Sequence, residues 1–388
     1  MEYNLVIRGG RLFEAQTGSW FPGDLWVRDG KMYLSAEPGA SAAETVDATG
    51  CDVLPGLIDE HLHINYKGSN IGANPDPLCL PCGVTTACDA GTTGIANFEP
   101  FGLHSRLYCQ TSVLCYLHVN SYGLQNGIGK VEESHQLTEF SEPGIRAMFD
   151  RYPELIRGLK VRVCKATTPT GLRLNAIKRA VEIADAVNWD GHFCTVDVHY
   201  GDLPEDVSLD ELLETLRPGD ILSHVFQNKG ETILNSNGHV RECVREAQCR
   251  GIYLDDCHGR PHWSFPIIEQ ALADGVKADI LSSDTIYASA YTRPAFSLLH
   301  AMCVLSAAGA RTEDIYRAVT VTPAKALGIS DWAGQLGDGR PADITILREI
   351  TTDQIFEDCY GNSRPANKVF LPMMTIRSGK VAYRQIFF

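Results

Sequence analysis

The residues best equipped for chemistry stand in PGLIDEHLHI (55–64), where His61 and His63 follow an apolar run and are separated by one residue. In a strand, side chains at i and i+2 share a face, so the two imidazoles would project together. That is the layout of a metal-binding pair, although an HxH alone also arises on any polar strand face. Further candidates follow in order, each where an apolar run stops: Lys160 in RGLKVR, His199 in TVDVHYGD, His224 in GDILSHVF and Asp284 in DILSSDT. Singly, each fits a hydrogen-bonded core residue. Their succession at the ends of consecutive strands does not.

Imidazole and carboxylate donors of this kind hold zinc, manganese or similar ions, with imidazole favouring zinc. Four histidines and one aspartate carry too little negative charge for two divalent cations, so a further bridging anion is expected. Lys160 can supply it. A buried lysine that sheds its proton exposes a neutral amine able to add carbon dioxide, and each oxygen of the resulting carbamate can hold one cation. An ordinary lysine–carboxylate pair is the competing reading, and Lys165 is a competing amine; the Gly-x-Lys setting at the end of an apolar run favours Lys160. The expectation is two divalent ions, zinc first, with Lys160 N6-carboxylated. They would share a hydroxide, since coordination lowers the pKa of water to about 7. Asp284 would move the proton during attack on a carbonyl.

Such a constellation needs elements that deliver each side chain to one place. Eight strand-like runs (VLPGLID, GVTTACDAG, SVLCYLHVN, LIRGLKVRV, HFCTVDVH, GDILSHVF, GIYLDD, ADILSSD) are separated by segments long enough for helices. LRLNAIKRAVEIADAVN places apolar residues at helical spacing, and SLDELLETLRPGD starts with a Ser208 cap and ends near Pro218-Gly219. Alternation of this kind predicts an α/β fold, a (β/α)8 TIM barrel over 56–330, with active residues at the carboxyl ends of the strands. Residues 1–55 read as short strands with a turn at Phe21-Pro22-Gly23 and a hairpin signal at Asp29-Gly30, and strands return over 331–388 in GQLGDGRPADITIL and FLPMMTIRSGKVAYR. The two ends are expected to join in a small discontinuous β-sandwich.

Composition supports this. The chain has 388 residues, 44% of them hydrophobic, which is enough for a large core, and a net charge of −14, which disfavours a nucleic-acid partner. No run of about 18 apolar residues and no basic, apolar leader occurs, so a cytoplasmic location without membrane association is expected. Thirteen scattered cysteines read as reduced thiols, and Cys79 and Cys82 form a CxxC with no second ligand pair. A homo-oligomer acting on a small molecule is anticipated.

At this point the sequence resembles the amidohydrolase superfamily, in its dihydroorotase, hydantoinase and isoaspartyl dipeptidase branch. PGLIDEHLH, GLKVR, His199, His224, the SSD at 282–284, TPAKALG at 322–328 and GQLGDGRPADITIL all fall in family order. DAGTTGIANFEPF and GDILSHVFQNKG are similar to a deacetylase-like group within it, some members of which resemble esterases of acetylated α-hydroxy acids. The resemblance implies that His61, His63 and Asp284 bind the more buried ion, His199 and His224 the more exposed one, and carboxylated Lys160 both. Apart from the resemblance, an anionic substrate is expected, with Arg162 or Arg293 as its counter-ion and Asn97 as a further substrate-binding residue. The sequence departs from the group in DDCHGRPHWSF, where His258 and His262 stand beside Trp263. His258 could polarise a substrate carbonyl or serve as a loop histidine. Two other readings remain open: a mononuclear deaminase of the same superfamily, which needs no bridging lysine, and a non-catalytic dihydropyrimidinase-like scaffold.

Overall fold

Short runs of apolar residues buried on both faces can only be the centre of an α/β protein, and they pair here side by side in parallel. The computed structural model describes residues 2–124, 135–366 and 368–388. Its central sheet contains β1 (Leu57–Leu62), β2 (Val84–Ala90), β3 (Ser112–His118), β4 (Ile156–Val163), β5 (Thr195–Tyr200), β6 (Ile221–Ser223) and β7 (Tyr253–Asp255). Each strand pairs with the next in sequence, giving the order β7-β6-β5-β4-β3-β2-β1. The register places Lys160 beside Asp197, Arg162 beside His199, His199 beside Ser223 and Ser223 beside Asp255.

The eighth expected strand, ADILSSD, closes the ring without becoming a regular strand. Ile280 bridges in parallel to Asp255, and the Asp284 N–H donates to the His61 carbonyl at 2.8 Å. The ladder breaks because Cys257 (φ 42°) and Asp284 (φ 45°) take left-handed backbone conformations, which no continuous strand tolerates. Sheet and closing segment together form a TIM-barrel-like α/β fold.

Helices pack outside, among them Asn175–Trp189 and Leu209–Thr215. The first starts three residues later than its apolar spacing suggests, because Arg173 sits at φ 52°. The second begins at Ser208 in a reciprocal capping box with Glu211, which satisfies two otherwise orphaned N–H groups.

Strands from both chain ends form additional sheets. One has six strands and joins Arg11–Glu14, Ser19–Pro22 and Asp52–Pro55 to Ile344–Thr351, Lys368–Arg377 and Lys380–Arg384; the other has four, all from the first 47 residues. Leu5, Leu25, Val27, Val53, Ile344, Ile346 and Met374 bury a common core between them. The Asp29-Gly30 turn sits where the hairpin signal placed it, between Leu25–Arg28 and Lys31–Tyr33. Among the described residues, no helix is long and apolar enough to cross a membrane.

Candidate metal centre

β1 ends in the His61-Leu62-His63 alternation, and both imidazoles are buried at the carboxyl end of the sheet. His61 and His63 meet Asp284, one ligand atom from each lying within 4.8 Å of the others. Asp284 Oδ1 is 3.3 Å from His63 Nε2 and 3.8 Å from His61 Nε2. His63 is oriented from behind: its Nδ1 lies 3.1 Å from Thr92 Oγ1, whose hydroxyl donates to Asp89 Oδ2 at 2.7 Å. Thr92 can accept from Nδ1–H in the tautomer that turns the Nε2 lone pair toward a cation; with no cation bound, Nε2–H can instead donate to Asp284.

Lys160, from β4, reaches the same place. Its Nζ is 3.4 Å from both ring nitrogens of His61 and 2.6 Å from Asp197 Oδ2, which is the buried lysine–carboxylate pair that competes with carboxylation. Gly91, at the end of β2, makes room for it: at φ +79°, a Cβ there would lie 2.5 Å from Lys160 Cβ. Only glycine serves both the backbone conformation and the space.

His199, from β5, and His224, just after β6, form a second group beside the first. His199 Nδ1 and His224 Nε2 are 2.8 Å apart, and the His61 and His224 ring centroids are 5.6 Å apart. His224 sits at φ 72°, and its Nδ1 is 2.7 Å from the Cys257 carbonyl, which can only accept, so Nε2 carries the lone pair. Left-handed backbone at His224 and Asp284 is strain of the kind concentrated at working sites.

Burial, reinforced by neighbouring cationic and imidazole groups, pushes the pKa values of His61, His199 and His224 below the ordinary histidine value. Neutral imidazoles are what a cation needs. Burial alone would raise Asp284, but the hydrogen bond to His63 and the surrounding histidines outweigh it and hold the carboxyl well below the usual carboxylate range. The donor set, neutral imidazoles around an ionised carboxylate, fits divalent cations.

The other expected residues separate. Arg162 is buried on the Lys160 face of β4, and its charge is felt at His199 and His262. His258 is buried outside the ligand clusters, with Nδ1 3.2 Å from Asp256 Oδ2 and its ring stacked 4.3 Å from Trp263; burial pushes it down to about 3. Asn97 precedes a helix without capping it and ties loops together: its Oδ1 accepts from the Gly94 N–H and its Nδ2 donates to the Tyr122 carbonyl, both at 2.9 Å. Arg293 is exposed, 3.3 Å from Gln354 Oε1. Lys165 pairs with Glu205 at the surface, and all thirteen cysteines are free, with the Cys79 and Cys82 thiols raised by burial, Cys82 to about 11.

Sequence reasoning missed the polar floor beneath the site. Asp197 Oδ2 lies 3.1 Å from His61 Nδ1, and Ser223 donates to its other oxygen. Tyr116 donates to Glu60, and Ser282 donates to Asp255 at 2.7 Å; burial above all raises both carboxyls, helped at Glu60 by repulsion from Asp255 and Asp197 and at Asp255 by repulsion from Asp197 and Asp256. The signal for Asp197 was present, since it stands two residues before His199 on the same strand face.

A curled parallel sheet that gathers imidazoles, a lysine and a carboxylate toward its carboxyl end defines a TIM-barrel-like α/β protein with a candidate metal site. Residues 264–380 match the amidohydrolase family. A deacetylase of Enterococcus faecalis is 28% identical over 98% of this chain and 99% of its own length. A deacetylase of Brucella anthropi is 28% identical over 86% of this chain and 80% of its own. The fold matches a crystal structure of an adenine deaminase (TM-score 0.88, 26% identity, covering 99% of this chain and 100% of that one). It also matches a crystal structure of a dihydroorotase (TM-score 0.85, 25% identity, covering 98% and 99%). Sequence and fold are thus similar to amidohydrolase-family proteins, deacetylases among them, and support a hydrolytic enzyme.

Proposed function

We propose that the chain is a binuclear metal-dependent hydrolase that cleaves an amide or ester bond of a small, acylated, carboxylate-bearing substrate. The observation that carries this is the adjacency of two ligand groups, His61/His63/Asp284 and His199/His224, with Lys160 Nζ 3.4 Å from the His61 ring. In this reading His61, His63 and Asp284 hold the inner cation and His199 and His224 the outer one. Lys160, N6-carboxylated, supplies the bridging anion. Zinc suits the imidazole-rich set.

Bound there, divalent cations supply Lewis acidity and make water acidic enough to react near neutral pH. The chain's own groups do the rest. Asp284, held ionised, takes the proton of the attacking water at a carboxylate oxygen and delivers it to the departing amine or alkoxide. Arg162, buried beside His199, pairs with a substrate carboxylate and orients the scissile carbonyl. The deacetylase relatives support an acyl group as the part released.

Metal analysis with a hydrolysis screen tests the reading. The expected result is two equivalents of divalent metal and turnover of N-acyl amino acids or O-acyl hydroxy acids. Protein purified without chelator that holds no metal and cleaves none of these, nor cyclic ureides, overturns it. The fold match to an adenine deaminase favours one alternative, release of ammonia from a ring; an ammonia assay on aminopurines with a single bound metal would establish that instead.

A further inference from the structure

The loop from Asp256 to Ser264 carries a histidine that the reading above leaves unused. The His262 ring stacks on His224 with centroids 4.0 Å apart and 28° between planes, and meets His199 edge-on at 5.2 Å. One ligand atom from each of His199, His224 and His262 lies within 4.8 Å of the other two. We propose that His262 is a third protein ligand of the outer cation, so that this ion is held by three imidazoles. The proposal rests on the binuclear reading and extends it.

The loop is built to hold that position. Trp263, the next residue, is fully buried, stacked on His258 and set edge-on against Phe265 at 5.2 Å. The C-terminal segment pins both sides: Tyr360 Oη donates to the Pro261 carbonyl at 2.9 Å, and the Phe265 N–H donates to Asp358 Oδ2 at 3.0 Å. Gly259, at φ +54°, lets the chain cross the site where a Cβ would lie 2.6 Å from Asp284 Oδ2 and 3.0 Å from the His262 ring. A ring fixed from its neighbours in this way loses little entropy on binding an ion. His262 is also partly accessible, as the outer face of a substrate site requires.

Three imidazoles with a remaining open position are a known donor arrangement for catalytic zinc. The outer ion then keeps three protein donors without the Lys160 bridge.

The test is zinc titration against a chromophoric chelator, with the visible spectrum of the cobalt-substituted protein, for wild type, His262→Ala and His262→Gln. Loss of groups that merely orient ligands weakens metal binding about 10- to 100-fold, so loss of a ligand should cost at least about tenfold. The expected result is that both variants keep one equivalent with wild-type affinity, bind the other at least about tenfold more weakly, and show an altered cobalt spectrum. Two equivalents with wild-type affinity and an unchanged spectrum in a folded His262→Gln overturn the proposal. Fewer than two equivalents in the wild type overturn the binuclear reading itself, and this inference with it.

Discussion

Asp284 faces His63, with Oδ1 3.3 Å from Nε2, while its own N–H donates to the His61 carbonyl at 2.8 Å. One residue thus closes the barrel through its backbone and completes the candidate ligand cluster through its side chain. Its carboxylate is held ionised in a buried setting, which suits a group that accepts a proton only transiently. Asp284→Asn is expected to fold and retain metal while kcat falls about 10²- to 10⁴-fold, the contribution typical of a positioned acid–base group. Steady-state kinetics beside metal content check this; near-normal turnover would remove the role assigned to Asp284.

Gly259 makes a second, independent claim on Asp284. Gly259→Ala would place a methyl 2.6 Å from Asp284 Oδ2 at a φ that L-residues rarely adopt. The backbone conformation alone costs about 1–2 kcal/mol, and the clash displaces the carboxylate. Activity should therefore fall by at least about tenfold, out of proportion to a small loss in denaturant midpoint. Unchanged kcat/KM in this variant would show that the loop yields without disturbing the site.

Metal removal should act on stability as well as on rate. An ion bound only by the folded protein stabilises it by about 2.7 kcal/mol at a hundredfold excess over its Kd. Chelation should lower Tm and abolish turnover, and added zinc should restore both. A Tm indifferent to chelator would mean that the imidazole clusters hold no ion.

His300 links pH to stability away from the ligand groups. It is buried against Phe296 and Phe356, and burial first, then the neighbouring His258 and Arg293, push its pKa down to about 3. The unfolded chain, with an ordinary histidine near 6.5, then binds the proton that the folded chain refuses. Stability from this residue is therefore full above pH 6.5 and is lost as pH falls from there toward 3. Denaturant melts from pH 7 to 4 should show a shallower decline in His300→Leu than in wild type. Parallel declines would assign the acid sensitivity to other groups.

The order and type of the central elements could be read from the sequence because apolar runs at helix and strand periods are local properties. His61 and His63 could be paired from spacing alone, since alternation along a strand fixes their common face. Lys160, His199, His224 and Asp284 stood out for a related reason, as residues where apolar runs were read to stop, since parallel strands present their carboxyl ends together; β4 in fact runs on past Lys160 to Val163. What spacing could not supply was distance across the ring. Asp197 against Lys160, the polar floor of Glu60 and Asp255, and His262 stacked on His224 arise from residues far apart in the chain, brought together by register and by loop conformation. The same cause sends Asn97 to hydrogen bonds between loops and Arg293 to the surface. Residue type and period determined which groups this chain could bring to a metal. Closure of the barrel, with left-handed backbone at His224 and Asp284, decided which of them meet, because contact depends on long-range packing that no local pattern encodes.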